Sequence, residues 1–400
     1  MSLFSSLRRD QKEAIGLLQI GTFLEYFDLM LYVHMAVLLN DLFFPKTDPH
    51  TASLLTAFAF CSTWVLRPFG ALLFGYIGDN IGRKTTVIMT TMMMATSCII
   101  MANLPTYSQI GISAAWIVTL CRVMQGLSSM GEMVGAEIYL TEITKPPSQY
   151  SIVASLRVSC VLGTIFALAI ASLVTTAGLN WRIAFWVGAV IALVGSVART
   201  RLRETPEFVD MKRKMKKAID ESSYVGLGKA AELLKITNPL WREKVNQKTF
   251  FMYLLMELTW PVWFYFSYIH CAHILKNDFN YTSEQVIHHN LILAIVQLLG
   301  AMFFVFLTYK MYPLKIIKIK TIIFTPFVLL CPYVLSNASS ATDIILLQSY
   351  CLFFSLSTFP AYAVIYKYFP VFRRFTNASL IYALSRAIMY IVTSFGLVYL

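Results

Sequence analysis

Charged side chains stand inside long apolar stretches of this sequence, where they are costly unless they pair or face water. Glu25 and Asp28 lie three residues apart in the first stretch, so a helix would place both carboxyl groups on one face. Arg122 lies in the fourth stretch, and Gln125 continues its helical face. An arginine and a carboxylate that separate on protonation would couple a conformational change to proton binding. A static ion pair that only locks two helices together is the alternative.

Three further acidic residues lie in or just after the fourth stretch. Glu142, just beyond its end, is expected to be a structural partner of a basic residue, whereas Glu137 is as well explained by a structural role as by a functional one. Glu132 lies deeper in the stretch and is the better candidate for proton coupling. The predicted proton-coupling residues are Glu25, Asp28, Arg122 and Glu132.

The seventh stretch combines an acid, a proline and several aromatic rings. Glu257 is followed by Trp260, Pro261 and Tyr265. Pro261 interrupts the backbone hydrogen-bond ladder, which predicts a bend of the type used in gating. The ring faces predict contact with a cationic group of a ligand, and packing against lipid or core is the alternative. The predicted substrate-binding residues are Arg67, Gln125, Glu257, Trp260, Tyr265 and Arg386.

The composition indicates which elements hold these residues. The chain has 400 residues, of which 57% are hydrophobic and 14% are charged, whereas soluble domains carry about 25% charged residues. This excludes a soluble protein. Eleven apolar runs predict membrane-spanning helices, because an exposed strand edge has no hydrogen-bond partner in lipid. The runs cover residues 15–39, 52–77, 86–104, 110–139, 151–177, 181–200, 249–275, 286–309, 314–336, 342–367 and 375–400.

Basic residues are distributed unequally between alternate loops. If the N-terminus is cytoplasmic, the outer segments hold only Lys46, Arg182 and Lys276. All other basic residues outside the spans then lie on the inner side, as the positive-inside rule requires. They include Arg199, assigned to the central loop, and Lys320, assigned to the loop after the eighth span. The excess basic charge predicts affinity for anionic lipid at the cytoplasmic face and not nucleic-acid binding.

A long polar segment divides the predicted spans into six before it and five after it. We therefore expect an N-terminal six-helix bundle over residues 1–200, a cytoplasmic central loop over 201–248 and a C-terminal bundle over 249–400. The loop contains the basic run MKRKMKK at 211–217. A solvated tether that helps determine topology is the favoured interpretation of this run, and contact with a lipid surface or a partner is the alternative.

A glycine-rich loop joins the second and third spans. Residues 75–84 read GYIGDNIGRK and resemble the loop signature of the major facilitator superfamily. Asp79 is placed to receive the positive end of a neighbouring helix dipole, forming a latch between two halves. Asn80 stands where the signature usually has Arg or Lys, which predicts a weaker latch. The predicted latch residues are Gly78, Asp79, Gly82, Arg83 and Lys84.

Other segments resemble the metabolite–proton symporter branch of that superfamily, which includes proline/betaine, α-ketoglutarate, citrate and shikimate carriers. They are GTFLEYFD at 21–28, RPFGA at 67–71, RVMQG at 122–126, WRIAF at 181–185 and RETPEF at 203–208. The second half matches only faintly, through FPVFR at 369–373. Family members have twelve spans, so the resemblance implies one more helix than this chain contains.

The resemblance implies an all-α integral membrane transporter that works by alternating access, resident in a bacterial inner membrane. A proton-coupled symporter of a small zwitterion such as proline or betaine is the first interpretation. A proton-coupled organic-acid symporter and a non-transporting membrane sensor or scaffold are the alternatives. The sequence has no enzyme motif and no metal-ligand spacing. We therefore expect a monomer with a small-molecule substrate, the proton as coupling ion, and no metal or other cofactor.

Overall fold

The structure, a computed structural model, describes residues 7–44, 64–176, 180–223 and 245–396. The regular elements of these ranges are helices, and no strand occurs among them. The helices of the first half are α1 (Arg9–Phe43), α2 (Arg67–Asn80), α3 (Arg83–Asn103), α4 (Ile112–Ile143), α5 (Ser148–Thr176) and α6 (Arg182–Arg199).

A polar helix, α7 (Pro206–Ser223), follows the first half. The second half begins with α8 (Gln247–Tyr265), which continues through a π-helical turn (Phe266–His270) into Cys271–Asn277. Its other long helices are α9 (Ser283–Lys310), α10 (Pro313–Ser336), α11 (Ala341–Phe354) and α12 (Val371–Gly396). Two short helices, Tyr107–Ile110 and Tyr362–Tyr366, lie in the connections.

Each predicted apolar run except the one over 342–367 coincides with a helix, although the start of the second run and the last four residues lie outside the described residues. Length and composition qualify five segments to cross a membrane: Arg9–Leu31, Arg83–Asn103, Ser148–Val174, Glu284–Lys310 and Val371–Thr393. Shorter apolar segments occur in α6 and α11. The all-α prediction is therefore confirmed.

The prediction of one continuous helix over residues 342–367 is wrong. Helix α11 ends at Phe354, and helical structure resumes only at Tyr362. Pro360 has no backbone N–H to donate, and the segment between the helices contains buried Ser355, Ser357 and Thr358. A non-helical backbone is tolerated at membrane depth where protein or a cavity surrounds it. The break therefore lies in a part of the molecule where protein surrounds the backbone.

Local sequence fixes where several second-half helices begin. Thr282 and Gln285 form a capping box at the start of α9, in which each side chain bonds the other residue's backbone N–H. Ser340 and Asp343 form the equivalent box at the start of α11. Each box satisfies two of the backbone donors that a helix start leaves free.

The two halves meet along two helix pairs: α2 packs against α12, and α5 packs against α9. A side chain at Gly78 would overlap the ring of Phe375, so the absence of Cβ lets α2 and α12 approach closely. Within the first half, α1 packs against α5 and α3 packs against α4 and α6. The result is a bundle on each side of a central interface, with cavities at and beside that interface.

Candidate functional site

A small cavity inside the first half, which we call the acid chamber, joins two of the predicted acids to two basic residues. It is lined by Glu25, Asp28, Arg67, Arg122 and Gln125, together with smaller and apolar groups. One Asp28 carboxylate oxygen accepts a hydrogen bond from Gln125 Nε2 at 2.9 Å, and the other lies 3.9 Å from Arg122 Nη1. Arg122 Nη1 donates to Gln125 Oε1 at 2.7 Å. Gln125 therefore bridges the acid and the base.

Glu25 and Arg67 occupy the same chamber without that kind of pairing. Glu25 is 2% exposed, and neither of its carboxyl oxygens has a hydrogen-bond partner among the described residues. Nε and Nη1 of Arg67 likewise lack one, although the guanidinium lies 3.8 Å from the ring centroid of Trp64. Glu25 is thus an acid that can take up or release a proton without breaking a hydrogen bond seen in this conformation.

Glu132 lies apart from the acid chamber, contrary to the prediction of one shared cavity. Its carboxylate is 2.5 Å from Nη1 of Arg199 and accepts hydrogen bonds from Thr90 and Thr91. Arg199, which was assigned to the cytoplasmic loop, is fully buried at the end of α6. It also donates to the carbonyl of Leu17 on α1. This pair therefore ties α1, α3, α4 and α6 together in a dry interior.

A larger cavity, which we call the central cavity, lies between the two halves. It has two adjoining parts, and Arg157, Trp260 and Gln297 line both. Each part has a volume of about 30 Å³. That volume accommodates roughly two or three water molecules in each part, so the free space of the cavity is small in this conformation. Its polar and aromatic lining comprises Tyr26, Trp64, Arg157, Thr164, Trp260, Phe264, Tyr268, Gln297, Phe304, Lys320, Ser349, Phe353, Ser357, Phe359, Tyr362, Tyr382, Arg386 and Tyr390.

Two basic groups of the central cavity have no acidic partner among the described residues. Arg157 on α5 stacks over Trp260, with its guanidinium carbon 4.2 Å from the ring centroid. Lys320 on α10 points its amine at the Ser357 hydroxyl, 3.4 Å away, and at the ring of Phe304. The assignment of Lys320 to a cytoplasmic loop is wrong, because α10 begins at Pro313 and Lys320 lies two turns inside it.

A third basic residue of the cavity, Arg386 on α12, is paired. It forms an ion pair with Glu257 of α8, and the Thr358 hydroxyl donates to the same carboxylate. The guanidinium carbon of Arg386 also lies 3.5 Å from the ring centroid of Tyr382. Glu257 and Arg386 were predicted as binding residues, and the structure brings them together as each other's partners.

Trp260 lies in the central cavity as predicted, whereas Tyr265 does not line it. Tyr265 is half-buried against the hydrophobic core. The π-helical turn that follows it shifts the register of the helix and places Tyr268 in the cavity, where its hydroxyl donates to Gln297 at 3.2 Å. The irregularity occurs after Tyr265, one turn beyond the Pro261 position from which a bend was predicted.

The predicted latch joins the two halves at one end of the molecule. The Asp79 carboxylate accepts backbone hydrogen bonds from Phe375 and Thr376 in the first turns of α12, at 3.0 and 2.9 Å. An acid at the positive end of a helix is stabilised by the helix dipole. Arg83 lies 3.4 Å from Asp79 and donates to the carbonyl oxygen of Val371 at 2.6 Å. The geometry therefore links α2 and α3 with α12.

Further acids complete this latch network. Glu142 of α4 pairs with Arg83 at 3.1 Å and with Arg374 of α12 at 2.9 Å. Arg374 also pairs with Glu207 of α7. The sequence did not single out Arg374, although it lies beside the FPVFR segment. The expectation that Glu142 is a structural partner for a basic residue matches this geometry.

Gly82 and Lys84 belong to the same network through Glu204. Gly82 has a φ of 155°, and an added Cβ there would overlap the Glu204 carboxylate. This close approach lets Glu204 accept hydrogen bonds from the backbone N–H groups of Arg83 and Lys84. Asn80, in contrast, is exposed and donates only to the carbonyl of Tyr76 within its own helix. The non-basic residue at position 80 therefore takes no part in the cross-half contacts.

The described part of the chain groups no three His, Cys, Asp or Glu side chains as a metal site would. Its buried charges instead lie in two helical bundles, around a cavity between them and a latch that joins them. That arrangement defines a membrane carrier. The sequence model of the Major Facilitator Superfamily matches residues 18–396, and the chain belongs to that superfamily of transporters, not to a class of enzymes.

Relatives share similar sequence over part of their length. The inner membrane metabolite transport protein YhjE of Escherichia coli K12 is 35% identical over 198 residues, 47% of this chain and 45% of that protein. A putative proline/betaine transporter of Staphylococcus aureus is 33% identical over 205 residues, 49% of this chain and 44% of that protein. The chain spans about half the length of these relatives. The resemblance to the metabolite-transporter branch is thereby confirmed.

Solved structures share the fold at low identity. A structure of the proton:xylose symporter XylE bound to 6-bromo-6-deoxy-D-glucose has a TM-score of 0.75 at 14% identity, covering 97% of this chain and 88% of that chain. The human organic anion transporter MFSD10 has a TM-score of 0.66 at 14% identity, covering 97% of this chain and 94% of that chain. This likeness establishes the architecture of two bundles and leaves the substrate to be inferred from the cavity.

Proposed function

We propose that the protein is a proton-coupled symporter of a small carboxylate-bearing metabolite. A zwitterion such as proline or betaine is supported by the names of the relatives in Staphylococcus aureus and Salmonella typhimurium, the latter 25% identical over 301 residues. An organic acid is the second candidate, favoured by the unpaired basic groups of the central cavity. Both classes carry the carboxylate that an arginine binds through two parallel hydrogen bonds.

The observation that supports proton coupling is the Gln125 bridge in the acid chamber. Asp28 keeps its links to Gln125 and Arg122 while it is ionised, because Gln125 donates a hydrogen bond to the carboxylate and the Arg122 guanidinium lies 3.9 Å from it as an ion-pair partner. Protonation removes the charge that attracts Arg122 and leaves α1 and α4 less tightly joined. Leu29 lies between the chamber and the central cavity, so a movement of α1 changes the wall of the solute site.

The transport cycle follows from the position of the latch network. Ion pairs among Asp79, Arg83, Glu142 and Arg374 hold the halves together at one end. Rocking of the bundles would break these contacts and open the cavity at that end. We place this end at the cytoplasm of a bacterial inner membrane, with a cytoplasmic N-terminus and anionic lipid near the basic α7. The protein acts as a monomer.

Uptake into proteoliposomes tests the proposal. The full chain is reconstituted and supplied with radiolabelled proline, betaine or α-ketoglutarate, with and without an inward proton gradient. At least one probe should accumulate above equilibrium only when the gradient is present. The variant Asp28→Asn should lose accumulation while it keeps exchange of solute across the membrane. Asp10→Asn is the matched control, because Asp10 lies on the same helix with a side chain that is 43% exposed.

Three results would count against the proposal. Accumulation by Asp28→Asn equal to that of the unmodified protein would remove Asp28 from the coupling step. Exchange of a probe that is indifferent to the proton gradient would replace symport by facilitated diffusion. If the folded protein binds and moves none of the probes, the non-transporting scaffold becomes the better interpretation.

A further inference from the structure

We propose that the central cavity binds a small dicarboxylate between Arg157 and Lys320, so that the solute is an organic dianion and not a zwitterion. This inference rests on the proposed symport function and narrows its substrate. Nothing in the sequence motifs points to either residue. The two bases come from different halves, Arg157 from α5 and Lys320 from α10, and both line the same part of the cavity.

Arg157 is held for contact with a ligand and not for an ion pair. Its guanidinium stacks on Trp260, and among the described residues it makes no hydrogen bond and no ion pair. Stacking on the ring face fixes the plane of the guanidinium while its N–H groups stay in the plane, free to point at a ligand. An arginine in this state presents the two parallel donors that match a carboxylate.

Lys320 of α10 lies beside the non-helical break that follows α11. Its amine is 3.4 Å from the hydroxyl of Ser357, and that residue lies in the non-helical segment between α11 and Tyr362–Tyr366. The side chain is 4% exposed, and the rings of Phe304 and Phe359 flank it. A hydroxyl at this distance satisfies at most one of the three N–H donors of the amine. The remaining donors are available to a second carboxylate.

The distribution of acids distinguishes a dianion from a zwitterion. The ammonium of a zwitterion is bound most strongly by an acid. Neither part of the central cavity has an acidic residue in its lining. Two buried acids of the interior are already occupied, Glu257 by Arg386 and Thr358 and Glu137 by the hydroxyl of Tyr366. Cations of the protein itself already lie over the rings of Trp260, Phe304 and Tyr382.

Two bases buried without acids are costly in a medium of low dielectric constant. A ligand with two carboxylates offsets that cost at both positions, whereas a ligand with one carboxylate and one ammonium offsets it at one position and adds repulsion at the other. Proton symport fits this solute, because co-transported protons reduce the charge that a dianion carries across the membrane. The aromatic walls formed by Trp260, Phe304 and Tyr362 then cover the short carbon chain between the carboxylates.

Equilibrium binding to the full-length protein in detergent tests this assignment, with succinate, α-ketoglutarate, proline and betaine as probes. We expect at least one of the two dicarboxylates to bind at least about tenfold more tightly than either zwitterion, a difference of about 1.4 kcal/mol. In Lys320→Gln the dicarboxylate should lose at least about tenfold in affinity and Lys320→Arg should recover part of the loss. Lys318→Gln is the matched control, since Lys318 is exposed on the same helix, and it should bind like the unmodified protein.

A second variant keeps the inference testable if Lys320→Gln does not fold. Arg157→Gln should weaken binding of the same dicarboxylate by a similar factor, and the thermal unfolding temperature of each variant reports its integrity. Proton-driven transport of proline or betaine, with no dicarboxylate binding, would overturn the assignment of the solute as a dianion and leave the proposed symport intact. Dicarboxylate binding that is unchanged in both folded variants would also overturn it. Failure of proton coupling with intact dicarboxylate binding would reject the symport alone.

Discussion

The acid chamber and the central cavity lie next to each other and differ in how their basic side chains are paired with acids. In the chamber, Asp28 and Arg122 face each other through Gln125, all three within the first half. In the central cavity, Arg157 and Lys320 come from different halves, and neither has an acidic partner among the residues described. The charges of the acid chamber are balanced within a single bundle. The charges of the central cavity would be balanced by the bound anion that we propose.

This difference indicates a division of labour. A charge that is balanced within one bundle travels with that bundle, so its protonation can change the shape of α1 and α4 without any solute. In the proposed cycle, the bases that lie on both bundles are balanced when the halves close around an anion. Leu29 contributes to the walls of both regions. The proposal therefore places the proton and the solute at separate sites that share one side chain.

The strongest test of this division is Arg122→Gln. Removing the guanidinium leaves Gln125 as the partner of Asp28, so the link between α1 and α4 no longer depends on the charge of Asp28. We expect accumulation driven by a proton gradient to fall to the equilibrium level, while solute exchange stays within about twofold of the unmodified protein. Both are measured in the same proteoliposomes.

The contrary result for Arg122 is specific. An equal loss of exchange and accumulation would mean that Arg122 binds solute or holds the bundle together. In that event the acid chamber would be part of the solute site, and the two regions would have one role. A dicarboxylate affinity that stays unchanged in Arg122→Gln would support the view that the acid chamber is separate from the solute site.

The pair formed by Glu132 and Arg199 belongs to neither region, and its removal should affect stability before transport. Both side chains are at most 1% exposed, and breaking a buried pair by removing one partner costs about 3–5 kcal/mol. Glu132→Gln should therefore lower the thermal unfolding temperature markedly. A folded Glu132→Gln protein that loses proton coupling, at unchanged unfolding temperature, would return Glu132 to the coupling residues.

A smaller effect on the same pair is expected from Gly21→Ala. An added Cβ at Gly21 would overlap the guanidinium of Arg199, which is held there by Glu132 and by the carbonyl of Leu17. The side chain must shift, at a cost of about 1–3 kcal/mol. Gly16→Ala is the control, because nothing lies within 4 Å of a Cβ at that position. Equal unfolding temperatures for the two variants would show that Arg199 is not fixed as described.

The sequence predicted the helices well because their apolar runs are long and membrane spans have few alternatives. Spacing on a helix also placed Arg122 and Gln125 on one face, and the cost of an unpaired charge in a membrane predicted that this face meets Asp28. Helix spacing does not show which other helix a face meets. Glu132 was therefore grouped with Asp28, although its partner, Arg199, lies at the end of α6.

Lys320 and Arg157 show a second reason for incomplete prediction. Lys320 follows three lysines at the start of a span, and the positive-inside rule assigns such a cluster to the loop as a whole. Only the start of α10 at Pro313 shows that the last lysine lies two turns inside. Arg157 contacts Trp260, which is more than 100 residues away in sequence. No local sequence pattern predicts a contact of that kind.

The smallest effect on dicarboxylate binding is expected from replacing Trp260, whose ring orients the guanidinium of Arg157. A cation over an aromatic face gains about 0.5–2 kcal/mol, so Trp260→Leu should weaken dicarboxylate binding by a few-fold, less than Lys320→Gln. Trp263→Leu is the control: Trp263 lies on the same helix and does not line the cavity. Because Arg157 keeps its charge in Trp260→Leu, the loss reports how far the ring holds the guanidinium in position. A loss as large as that of Arg157→Gln would mean that the ring itself binds the solute, whereas no loss would mean that Arg157 needs no support from α8.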